Sequence, residues 1–163
     1  MKIIITLIIA CVLIFTACSK NEEKNQNNSS NESKKQLESD YKVRGSSNNI
    51  VYNKLNDKNI KRKGSIAYPS NDNTTTYFLN NDDEIIHVKR SFNHYPLDFK
   101  NDKSIIDQQV HDYMEKDATL KKIDKSNIRT YYSTKSNKNY YASFDLNTDG
   151  KVTGILISSQ NKR

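Results

Sequence analysis

Four glycines, two prolines, two cysteines and no tryptophan are all that 163 residues contain of these types. Each shortage excludes something. The glycines, Gly45, Gly64, Gly150 and Gly154, are too far apart for a P-loop or a dinucleotide fingerprint, because both need close glycines to bring backbone against phosphate. Both cysteines, Cys11 and Cys18, fall near the N-terminus, so the remainder has no disulfide framework, thiol nucleophile or cysteine metal site. No acidic residue follows Asp149. Hydrophobic residues make up 34% of the chain and many of them lie in its first 15 positions, which leaves enough for one modest core.

That first segment, MKIIITLIIACVLIFTACSK, is the strongest signal present. Lys2 supplies a positive start, Ile3 to Phe15 is an apolar run, and Thr16 and Ala17 are small. The run falls short of the roughly 20 apolar residues that span a bilayer, and a polar stretch, SKNEEKNQNNSSNESKK, follows at once. This is the layout of a signal peptide. The tetrapeptide Phe15-Thr16-Ala17-Cys18 resembles the lipobox of bacterial lipoproteins, with Phe15 where that family usually has Leu, Val or Ile. The resemblance implies removal of residues 1–17 by signal peptidase II and a diacylglycerol on the Cys18 thiol. It also implies a site on the extracytoplasmic face of the cell membrane. Two acyl chains anchor a protein stably, at about 0.8 kcal/mol per buried methylene. The Asn- and Lys-rich composition suggests an AT-rich genome, and with it a Gram-positive membrane.

Residues 18–47 are Asn, Ser, Lys and Glu with isolated Leu37, Tyr41 and Val43, too polar to offset chain entropy by burial. They read as a tether of roughly 30 Å reach. A single domain is expected over residues 48–160. Asn49–Leu55 and Lys63–Tyr68 read as weak strands, then Thr74–Leu79 and Glu84–Phe92 as a hairpin. Ser104–Asp117 reads as a helix with an apolar stripe of Ile106, Val110, Tyr113 and Met114, and Ser104 with Asp107 resembles a capping box. Strands at Ile128–Thr134, Asn139–Leu146 and Lys151–Ser158 complete an α+β domain. Its small antiparallel sheet has about five strands in the order ββ-α-βββ, the two weak strands forming an additional hairpin, and one helix on one face. The sequence shows no internal repeat. The outline is loosely similar to the cystatin-like and NTF2-like domains of tethered lipoproteins, although those place the principal helix before the sheet.

Candidate sites are few. Asp145, Asn147, Asp149 and Gly150 match the first half of a calcium loop, but its twelfth position, where a bidentate Glu belongs, is Leu156. Asp149-Gly150 suits a tight hairpin turn instead. His87, His94 and His111 have no metal-site spacing. The pairs Tyr131-Tyr132 and Tyr140-Tyr141 flank one hairpin, and alternation turns one member of each outward, where it would suit a partner surface. Lys58, Lys61, Arg62 and Lys63 form a basic run that would attract anionic lipid or wall polymer. Location and the lack of a recognition motif speak against nucleic acid.

The expected function is a membrane-anchored surface lipoprotein that binds another envelope component, a protein or an anionic polymer. It would use no cofactor apart from the covalent diacylglycerol. The alternative is an envelope enzyme or metal-binding accessory protein that uses histidines and acids gathered by the fold.

Overall fold

The computed structural model describes residues 49–160 apart from Ser126. The expected signal segment, Cys18 and the tether lie outside the described residues. The described residues form eight strands and one helix: β1 (Ile60–Lys63), β2 (Ile66–Pro69), β3 (Thr75–Leu79), β4 (Ile85–Ser91), α1 (Lys103–His111), β5 (Thr119–Asp124), β6 (Ile128–Ser133), β7 (Lys138–Leu146) and β8 (Val152–Ser158). They form an α+β domain with a single antiparallel sheet ordered β1-β2-β3-β4-β8-β7-β6-β5.

The sheet consists of two four-stranded meanders joined through their last strands. The joint is the antiparallel pairing of β4 with β8, from His87↔Ser158 to Ser91↔Gly154. Short turns fold each meander. Gly64, at φ +59°, makes the two-residue turn between Lys63 and Ile66. At the β3–β4 turn the Asn80 Oδ1 accepts the backbone N–H groups of Asp82 and Glu84 at 3.0 and 2.9 Å. At the β6–β7 turn the Asp117 carboxylate accepts from Ser133 Oγ (2.7 Å), Thr134 Oγ1 (3.0 Å) and the Lys135 N–H (2.9 Å).

One face of the sheet carries the core. Register sets Arg62, Ala67, Tyr77, Val88, Ile157, Ala142, Arg129 and Ile123 in one row across all eight strands. Its interior members Ala67, Tyr77, Val88, Ile157 and Ala142 are buried. α1 lies on this face. It buries Ile106, Gln109 and Val110, and His111 meets the Tyr131 ring edge-on at 5.3 Å. The Arg129 guanidinium rests 5.5 Å from the Phe99 ring and 4.9 Å from the Phe144 ring, and donates to Asp107 at 3.1 Å. One side chain thus ties the helix to β6 and β7.

Several expectations need correction. Among the described residues there are eight strands rather than about five, in the order ββββ-α-ββββ. The strand expected at Asn49–Leu55 is an irregular segment with a single bridge, Lys54↔Glu84. Tyr52 there has φ +78°, and its neighbours bond out of register: the Val51 N–H to the Tyr113 carbonyl, the Tyr52 N–H to that of Ile85. The strand expected at Lys63–Tyr68 straddles the Gly64 turn. β5 is a further strand that the sequence pattern does not mark, because TLKKID shows no clean alternation. α1 ends at His111, although Tyr113 and Met114 remain in the core beyond it. Its N-cap is Asp102, with no side-chain cap bond, and Asp107 pairs with Lys103 and Arg129 instead of closing a capping box.

Candidate functional site: the helix-free face of the sheet

The residues that alternate with the core point to the other face, which α1 does not cover. Register again gives a row across all eight strands: Lys63, Ile66, Phe78, His87, Ser158, Tyr141, Thr130 and Lys122. A second row beside it contains Thr76, Lys89, Leu156, Ser143, Ile128 and Asp124. At about 4.8 Å per strand the face is about 34 Å wide. Ile66, Phe78, Tyr141, Leu156 and Ile128 are half-buried, whereas the core-side neighbours of all but Ile128 are sealed. The face is therefore partly apolar and partly wet, as are the patches proteins use to meet one another.

Its two ends are basic. Lys61 and Lys63 stand on β1 beside the exposed Tyr68 and the half-buried Ile66, with no ion pair among the described residues. At the far end the Lys121 ammonium lies 5.0 Å from the centre of the Tyr132 ring, and Lys122 pairs with Asp124. In the middle, Lys89 lies 3.9 Å from Asp145.

The candidate residues from the sequence divide across the two faces. Tyr131 and Tyr140 are in the core, and burial pushes both hydroxyls above their ordinary pKa. Only Tyr132 and Tyr141 stand on the helix-free face. The basic run divides too. Lys61 and Lys63 point to this face, while Arg62 points to the other and forms a two-pronged pair with Asp83 at 2.5 and 3.3 Å. Lys58 lies exposed just ahead of β1. Reading the sequence missed Phe78, Leu156, Ile128 and Lys89. Their alternation was visible, but which side faces inward depends on register between distant strands.

The calcium-like motif is a turn. The Asn147 Oδ1 accepts the N–H groups of Asp149 (3.0 Å) and Lys151 (2.9 Å), and Gly150 takes φ +75°. Asp145 is on the sheet beside Gly154, oriented toward Lys89. Among the described residues no group of three or more His, Cys, Asp or Glu gathers closely enough to hold a metal. The histidines are spread over β4 (His87), the loop after it (His94) and the end of α1 (His111).

His87 is the one imidazole on the helix-free face. Its Nδ1 is 2.8 Å from Ser158 Oγ. That hydroxyl is already engaged, bonding to the Gln160 carbonyl (2.8 Å) and accepting the Gln160 N–H (2.9 Å). Ser158 is also buried, so the pair holds the β4–β8 seam and does not present a nucleophile.

No protein-family model, no curated protein and no solved structure matches this chain.

Proposed function

We propose that the chain is a surface lipoprotein, anchored through Cys18, whose small domain binds another protein of the cell envelope with the helix-free face of its sheet. The observation that carries this reading is the composition of that face. Half-buried Phe78, Tyr141, Leu156 and Ile128 lie between lysine-bearing ends. A face of about 34 by 20 Å is on the order of one side of a standard interface, about 800 Å². The amphipathic aromatics provide binding area at low entropic cost, and the lysines favour an acidic partner. The lipobox supplies the location, and the polar tether gives the domain reach from the membrane.

The test uses the full-length chain in its native membrane, with a photoreactive amino acid at Phe78 or Tyr141 and, as control, at the exposed Gln108 of α1. The expected result is one discrete crosslinked protein from both face positions and none from Gln108. It should be lost when Cys18→Ala abolishes fatty-acid labelling and releases the chain. Equal crosslinking from Gln108, or none from the face, refutes the reading.

A further inference from the structure

The two edges of the sheet are built differently. At one, β1 is four residues long and three of them, Lys61, Arg62 and Lys63, are cationic. Short, charged edge strands discourage the addition of another strand. At the other, β5 has six residues and no strand pairs with its outer side among the described residues. It also bears two of the most exposed large apolar side chains described, Leu120 at 48% and Ile123 at 59%.

A bulge makes these two residues act together. Residues three apart on a regular strand point to opposite faces. The register of β5 on β6 shifts between Leu120 and Lys122, so that Leu120 pairs with Tyr131 and Ile123 with Arg129. Both therefore lie on the core face and continue its rows past the last strand into solvent. The same shift leaves Lys122 on the helix-free face, and Lys121 lies over Tyr132 there. The edge thus offers backbone donors and acceptors, an apolar strip on one side and, on the other, Lys121 and a Lys122 paired with Asp124 of the same strand.

We infer that β5 is a docking edge for an extended acidic segment of another protein, added as a ninth strand. Its apolar residues would pack beside Leu120 and Ile123, and its carboxylates would meet Lys121 and Lys122. Main-chain bonds would give affinity and the alternate side chains specificity. In the register that matches the apolar residues, charge disfavours a second copy of this chain in that place. An antiparallel pair of β5 strands with Leu120 opposite Ile123 sets Lys121 opposite Lys122 twice, and like charges directly opposed are destabilising. This deepens the reading of the domain as an envelope binding module by adding a second mode of contact.

The test is amide hydrogen exchange, read by NMR on the full-length chain in detergent. The probes are two synthetic hexapeptides that alternate Val with Glu or Val with Lys. The glutamate peptide is expected to slow exchange in β5 by about tenfold or more at saturation, leaving β1 unchanged, while the lysine peptide does not. The double variant Lys121→Glu/Lys122→Glu should reverse that preference, and Ile123→Lys should weaken glutamate-peptide binding by about tenfold. Exchange in the peptide-free variants, compared with the parent chain, reports whether each still folds. The inference fails if the glutamate peptide leaves β5 exchange unchanged, if both peptides protect it equally, or if protein concentration alone protects it. A negative crosslinking result at Phe78 and Tyr141 would not change these outcomes, so the two ideas fail separately.

Discussion

Arg90 and Asp72 are the most deeply buried ion pair described, with the guanidinium 3.0 Å from the carboxylate and both side chains 7% exposed. The pair sits in a network. Asp72 accepts from the Thr74 N–H (2.8 Å), from Thr74 Oγ1 (2.6 Å) and from Thr75 Oγ1. Arg90 also donates to Thr75. Burial alone would raise the Asp72 pKa, but the hydrogen bonds from Thr74 and Thr75 and the Arg90 charge outweigh it and hold the carboxyl below its ordinary value. Removing one partner leaves the other charged and dry. Asp72→Ala is expected to cost about 3–5 kcal/mol of unfolding free energy in urea melts. The double variant Asp72→Ala/Arg90→Met should recover part of that loss.

Asp117 predicts how the fold responds to acid. The Lys135 N–H and the Ser133 hydroxyl hold its carboxyl down at about 2, against about 3.9 for a free aspartate. A carboxyl lowered in the folded state stabilises that state fully above the unfolded pKa. The contribution fades as pH falls through the folded pKa. Asp72, Asp83 and Asp98 are lowered as well. The urea midpoint should therefore drop steeply from about pH 4 toward pH 2. Asp117→Asn should flatten part of that drop, and an unchanged pH profile in the variant would show that Asp117 does not contribute.

Among the elements, turns and strands differ in how much of them can be read from sequence. The β7–β8 hairpin was legible because Asn147, Asp149 and Gly150 carry their turn chemistry locally. Gly150→Val would force a branched side chain into φ +75°. It is expected to cost about 1–2 kcal/mol, measured as a lower thermal midpoint, while Lys151→Val changes little. β5 is the opposite case. Its residues are exposed and mixed, so no period marks it, and it is a strand only because β6 lies beside it. Tyr52 sits in a segment whose apolar residues resemble a strand. Its hydroxyl instead lies 2.7 Å from the Asn139 carbonyl and 2.9 Å from that of Ser159, contacts that alternation does not reveal. The helix was found but extended too far, since the apolar stripe continues through Tyr113 and Met114 after the backbone has left the helix. The inward and outward division of the tyrosine pairs was legible by parity, but the two rows of the helix-free face required the register of all eight strands.

In the whole molecule, the two meanders repeat one strand order with no repeat in sequence, and the β4–β8 seam carries their union. Val88 and Ile157 face each other across it, both fully buried. Ile157→Ala should cost about 2–5 kcal/mol, a large share of the roughly 5–15 kcal/mol typical of such domains. Hydrogen exchange should accelerate in both meanders together. Acceleration confined to β5–β8 would mean that the halves are separate cooperative units.

The placement of β8 has a consequence for how the domain comes into being. When the chain emerges N-terminus first, β1 through β7 come out before the strand that joins them, as two unconnected half-sheets. β8, the last strand in chain order, is a central one and joins them. Any polypeptide that stalls, is nicked or terminates before Val152 keeps two exposed sheet edges where the native chain has a seam. Such a product is open to proteolysis without any dedicated signal, because proteases act on unpaired strands. Only a chain complete through Ser158 closes the structure that protects it.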